Sequence, residues 1–219
     1  MTTFPGSPRL LSAGIVLIDP TTSAIVRVIA LQYNPDTLTR TFQIQGTKDD
    51  AGDRTEALRL TGPPGETIKF DAEIDASDQL EHPEQNPVTT KSGLQPQLAA
   101  LELLVYPSVA QLQDEDRLAQ AGSIEIAPAE TPLALFVWSK DRVLPVRVTD
   151  ISITEEAFDP NLNPIRAKVS ISLRVLNNND LPFDHKGTSI FRAYHQQKER
   201  LASLSSGSSL ASLGLSRIP

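Results

Sequence analysis

Polar and apolar residues alternate most strictly over residues 165–176. Ile165, Ala167, Val169, Ile171, Leu173 and Val175 fall in one phase, and Arg166, Lys168, Ser170, Ser172 and Arg174 in the other. A helix would scatter both sets around its circumference, so this period of two predicts a strand with one dry face. At about 3.3 Å per residue it spans roughly 35 Å, which demands long neighbours. Just upstream, Asp159-Pro160 and Asn163-Pro164 punctuate an acidic loop, since proline withholds a donor where pairing begins. The same alternation recurs over residues 67–75, with Ile68, Phe70, Ala72 and Ile74 facing in. Residues 143–153 change phase: Leu144, Val146 and Val148 are even, Ile151 and Ile153 odd. A β-bulge at Thr149-Asp150 would keep both halves inward.

Residues 13–18 and 24–33 are apolar runs separated by Asp-Pro-Thr-Thr-Ser, which predicts a hairpin. Both are apolar on both faces, as expected of strands sandwiched in a core or between subunits. Residues 33–38 are a turn and 40–45 a strand with Phe42 and Ile44 on one side. Residues 46–55 are polar and mobile, 62–65 a tight reversal, 76–93 an acidic proline-bearing loop and 108–132 irregular, before a fully apolar strand at 133–138. Pro96, followed by Leu98, Leu101 and Val105 and ended by Pro107, predicts an embedded helix of about three turns. A second helix is expected over 188–203, with Ile190, Phe191, Tyr194 and Leu201 on one side. The Ser/Leu-rich tail after it has no core of its own. The fold class is mainly β, an antiparallel barrel or sandwich with one embedded helix and a C-terminal helix.

Composition narrows the function. A chain of 219 residues that is 39% hydrophobic and 21% charged suits one soluble domain with appendages. The net charge of −7 speaks against nucleic acid as a main partner. No run approaches the ~18 apolar residues of a membrane helix, and the N-terminal run lacks a basic flank. No membrane partner is expected, and the cytoplasm is the expected site of synthesis and assembly. There is no cysteine, hence neither disulfide nor thiolate metal site.

Candidate chemistry is sparse. His82, His185 and His195 share no metal-ligand spacing. Asp49, Asp50 and Asp53 lack the order and closing glutamate of a calcium loop. Glu155, Glu156 and Asp159 could pose as paired carboxylates, but Arg166 and Lys168 nearby favour structural ion pairs. Motifs for a nucleophile elbow, a P-loop or a dinucleotide fingerprint are missing. No catalytic residue, metal or cofactor is assigned.

Two segments carry a more specific signal. One is LQYNPDTLTRTF over residues 31–42. The other runs from Phe136-Val137-Trp138 through VLPVRVT (143–149) to SITEEAFDP (152–160) and Pro164-Ile165-Arg166-Ala167. The ordered pair, with the Leu-rich helix between, resembles the tube-type domain of contractile injection systems, relatives of contractile phage tails. More narrowly it is similar to the baseplate adaptor joining inner tube to spike hub. Longer relatives often carry a LysM module after the trailing helix; here a Ser/Leu tail stands instead, so cell-wall binding is not carried over.

The resemblance implies a homohexameric ring of β-barrel subunits, in a phage tail-like particle that is either released or anchored. Its partners would be copies of itself, the inner tube protein, the spike or hub protein and other baseplate proteins. Residues 1–182 would form the tube-type domain, with 1–12 an extended arm, and 183–219 a helix and tail. Tyr33, Asn34, Pro35 and Leu38, with Arg40 beside them, are candidates for a subunit or ring contact. Glu155, Asp159 and Arg166 are candidates for a charge-assisted latch, within a subunit or to its neighbour. Phe191 and Tyr194 on the trailing helix would dock a baseplate component or their own barrel. Two other readings stay open: an inner tube protein that polymerises into the tube itself, and a monomeric β-sandwich binding module.

Overall fold

The alternating segments become the strands of one antiparallel sheet. The computed structural model describes residues 11–46, 59–120, 122, 131–205 and 214–218. Among them are β1 (Gly14–Ile18), β2 (Ile25–Ala30), β3 (Leu38–Gln43), β4 (Gly65–Asp75), β5 (Leu133–Ser139), β6 (Arg142–Phe158) and β7 (Pro164–Val175). They lie in the order β2-β1-β5-β6-β7-β4-β3, so the architecture is mainly β and antiparallel, as the pattern predicts. The turn expected up to Leu38 ends one residue early, because Leu38 already pairs with Phe70. Of residues 46–55, read as mobile, Gly46 bridges to Leu60 and 47–55 lie outside the described residues.

β6 and β7 form the spine. Their register runs from Val146 opposite Val175 to Phe158 opposite Pro164, and it shifts between Val148 and Asp150. That shift is the anticipated bulge at Thr149, whose hydroxyl donates to the Ser172 carbonyl at 3.1 Å. Residues 154–158 belong to β6 rather than to a loop, and the loop itself is only five residues. Polar exposed side chains disguised this extension; pairing with the start of β7 holds it.

Inward residues of β4, β5, β6 and β7 build the main core, where Phe70 stacks on Phe136 at 5.3 Å between ring centroids. A smaller cluster joins Ile18, Leu133 and Leu135 to Val16, Val143, Leu176 and Ile190. Leu133 and Leu135 are out of phase with Phe136, so this cluster covers the opposite face of the sheet. β1 and β5 are therefore buried on both sides within one chain. β2 is not.

Among the described residues four helices lie between β4 and β5 where one was expected: α1 (Ser77–Leu80), α2 (Pro87–Ser92), α3 (Gln95–Glu102) and α4 (Val109–Gln120). The acidic loop thus contains two short helices, and the irregular stretch contains α4, which buries no residue. α3 carries the predicted Leu98 and Leu101 into the core, with Leu94 before it, whereas Val105 lies beyond its end and is exposed. Each buried leucine contributes about 2 kcal/mol. The Leu94 amide donates to the Pro164 carbonyl and the Ala76 amide to the Ile165 carbonyl, both at 2.9 Å. These bonds pin the insertion to the end of the barrel where β4 stops and β7 starts.

The trailing helix, α5 (Lys186–Leu204), begins at His185, whose Nδ1 accepts the Gly187 amide at 3.0 Å. Ile190 packs on the smaller cluster, Phe191 and Tyr194 on the main one, while Leu201 points to solvent.

Candidate assembly surfaces

Among the described residues the sheet does not close, and its edges are β2 and β3. β2 presents Ile25, Val26 and Val28 with 68%, 56% and 59% of their surface exposed. A native edge is ordinarily blunted by charge, proline or a bulge. β2 carries one charged side chain, Arg27, among five apolar ones. The β3 edge exposes Phe42, and Ile44 follows it. Across the seam, Gln32 donates from Nε2 to the Asp75 carbonyl at 2.8 Å and accepts the Asp75 amide at 2.9 Å.

The predicted turn divides into residues with different work. Asn34 serves its own chain, accepting the Ala13 amide and donating to the Leu11 carbonyl, each at 2.8 Å. Leu38 packs against the core, Pro35 is half-buried and Tyr33 is exposed. Of these four, Tyr33 has the most side chain free for a partner.

Arg40 and Tyr194, singled out separately in the sequence, come together over Glu66. Arg40 Nε donates to Glu66 Oε1 at 2.8 Å, and Arg40 Nη2 to the Tyr194 hydroxyl at 2.8 Å. Lys198 Nζ reaches Glu66 Oε2 at 3.0 Å and lies 4.2 Å from the Tyr194 ring centroid. Arg40 and Lys198 also flank the Phe42 ring, at 5.0 and 5.5 Å. Glu66 is 3% exposed, so its charge depends on these two cations. Phe191 and Tyr194 thus face their own barrel. Glu66 and Lys198 were missed by sequence, although Glu66 shares the inward phase of Ile68 and Phe70, where an acid is conspicuous.

Glu155, Asp159 and Arg166 do not meet within the chain. Arg166 Nε instead binds Asp75 Oδ2 at 2.9 Å, and Lys168 binds Glu156 at 3.3 Å. Glu155 stands opposite Ala167 with its side chain exposed. Asp159 closes its own loop, accepting the Asn161 amide at 2.7 Å and the Asn163 amide and side chain at 2.8 Å. These bonds, the Asn163 side chain foremost, hold the Asp159 carboxyl below the usual carboxylate range. Ser77 does the same for Asp75, with Arg166 adding to it. Asp75 in turn raises the Arg166 guanidinium.

Among the described residues, no cluster of His, Cys, Asp or Glu is placed to hold a metal ion, and no helix is long and apolar enough to cross a membrane. What the described surfaces offer is sheet edges, exposed apolar side chains and ion pairs, which is the chemistry of assembly.

Comparison with known proteins bears on the kind of assembly. No curated protein matches the chain. Among solved structures it is similar to a chain from the tail of an empty gene transfer agent (GTA) particle, computed with helical refinement under C6 symmetry. That likeness covers 75% of this chain and 90% of that one, at 14% identity and a TM-score of 0.30. The model of one family, described as contractile injection system tube protein, matches residues 17–182, from β1 through the end of the sheet. The chain belongs to the contractile injection system tube protein family.

Proposed function

We propose that this protein is a structural baseplate component, a homohexameric ring that connects the spike hub to the inner tube and nucleates tube assembly. The observation that carries the reading is the pair of unlike open edges, apolar β2 on one side of the sheet and β3 on the other. Unlike edges join head to tail, and head-to-tail contacts close into rings when the rotation permits. Pairing β2 with a neighbour would remove the exposed apolar edge and satisfy its outward amides and carbonyls. Family membership supports a structural rather than enzymatic role.

The adaptor role rests on the trailing helix. The family match ends at residue 182, which supports a division into a tube-type domain (1–182) and an appended helix and tail (183–219). α5 is anchored by Tyr194 and Lys198, while Leu201 and Leu204 beyond them are exposed and free to meet the hub or another baseplate protein. An appendage of this kind marks a ring that differs from those stacked on it. A second reading, an inner tube subunit that stacks into the tube itself, is favoured by the family's own description.

Light scattering coupled to size exclusion separates these possibilities. A discrete hexamer supports the adaptor ring. An open series of higher masses supports the tube subunit, and a monomer at all accessible concentrations overturns both.

A further inference from the structure

We propose that the tip of the β6–β7 hairpin is a knob that enters an apolar groove on the next copy of this chain. The inference rests on the ring reading and names the contact that would hold one subunit to its neighbour.

The knob presents two large exposed apolar side chains and is fixed. Phe158 is 50% and Leu162 77% exposed. Leu162 sits at φ 64° and Ala157 at φ 52°, a left-handed conformation that is unfavourable for a residue bearing a side chain. Glycine would avoid that cost, yet leucine stands there, held by its surroundings. The Leu162 amide donates to the Asp159 carbonyl at 2.9 Å, and the Asp159 amide to the Asn163 carbonyl at 3.0 Å. Asn163 is buried and reaches the Lys91 carbonyl at 3.2 Å, fixing the tip to α2. A strained loop persists where neighbours over-determine it, and such loops gather at contact sites.

The groove lies at the seam of the sheet, between β2, β4 and α3. Val28, Ala30, Ala72, Ile74, Ala100 and Leu101 line a hollow of about 340 Å³, large enough for a leucine and part of a phenylalanine. It adjoins the exposed β2 edge, so its occupant and a strand paired to that edge would form one continuous interface. In its wall, Gln97 Oε1 is buried without a hydrogen-bond partner. A buried acceptor left unpaired is destabilising. In the proposed contact a small rotation of Gln97 would present this acceptor to the Asn161 side-chain amide on the tip.

Position selects a lateral contact over a stacked one. The tip joins Pro164 beside Leu94, and the groove is walled by α3 at that same end of the barrel. Rotation about a ring axis running along the barrel leaves height unchanged, so a knob and a hollow at one height meet between neighbours. Stacked rings would need them at opposite ends.

The chain has no cysteine, so Leu162→Cys with Ala100→Cys introduces the only thiols. Mild oxidation of the assembled double variant should yield a reducible ladder of covalent multimers, and the single variants nothing beyond dimers. A hexamer by mass without the ladder overturns the knob and leaves the ring standing. A monomer by mass without the ladder overturns both, and a cross-link confined to single chains overturns the knob. Leu162→Gly is a second measure, since it relieves the left-handed strain while removing the apolar side chain. The folded subunit should keep its stability and associate about tenfold more weakly; unchanged association overturns the proposal.

Discussion

Gln32 behaves toward Asp75 as a strand would, its side-chain amide donating to the carbonyl and accepting the amide of that one residue at 2.8 and 2.9 Å. A side chain has taken over a rung of the ladder at the point where β2 has ended and the sheet must curl toward β4. Gln32→Ala removes both bonds at an exposed site. The expected loss is about 1 kcal/mol, read by urea unfolding, with faster hydrogen exchange at the Asp75 amide.

Glu66 is the buried end of a three-way contact with Arg40 and Lys198. Breaking a fully buried pair costs about 3–5 kcal/mol. Here Arg40 and Lys198 retain 25% and 38% side-chain exposure, so water can re-solvate them and about 2 kcal/mol is expected for Glu66→Ala. The readout particular to this site is α5: limited proteolysis should cut it faster in the variant while the sheet stays protected.

Asp159 has its carboxyl held below its ordinary range by Asn163 and Asn161. Its contribution is therefore complete above the unfolded value of about 3.9 and is lost as pH falls through the lower folded value. Asp159→Asn should flatten the acid limb of the stability curve below about pH 4 without changing its slope near neutrality. Denaturant titrations at several pH values would show this.

Gly93 closes α2 at φ 55° and ψ −134°, a backbone region open to glycine and to almost nothing else. A Cβ there would lie 2.4 Å from the Pro164 carbonyl oxygen, which already accepts the Leu94 amide. Gly93→Ala should cost about 3 kcal/mol, seen as a lowered denaturation midpoint. The change strikes the joint between the helical insertion and the spine of the sheet.

Val28 lies on the edge strand with 59% of its surface exposed. A surface substitution there should alter monomer stability by no more than about 0.5 kcal/mol. If β2 pairs with a neighbouring copy, Val28→Lys should nonetheless abolish higher mass in solution. Paired unfolding and light-scattering measurements on the same sample separate the two effects.

Where one physical rule governs a segment, sequence sufficed. β7 and β4 are half-dry strands, so their alternation survives intact, and the phase slip at Thr149 followed because both halves of β6 had to face in. Three kinds of feature escaped. α1, α2 and α4 bury at most one side chain each, so no apolar period announces them. The end of β6, residues 154–158, is largely exposed and is held by pairing with the start of β7. Ion pairs depend on which strands meet, so Arg166 found Asp75, its opposite number on β4, rather than an acid nearby in the chain. Arg40 and Tyr194 were legible singly; the buried acid that unites them lay one residue before the predicted start of its strand.

Antiparallel rungs stand perpendicular to the strands they join. β6 runs 17 residues and β7 12, side by side at the middle of the sheet. A pull along their length therefore strains all their shared rungs together, whereas a pull across them peels one at a time. Stretched along that axis, the protein should yield at far higher tension than when opened from its β2 edge.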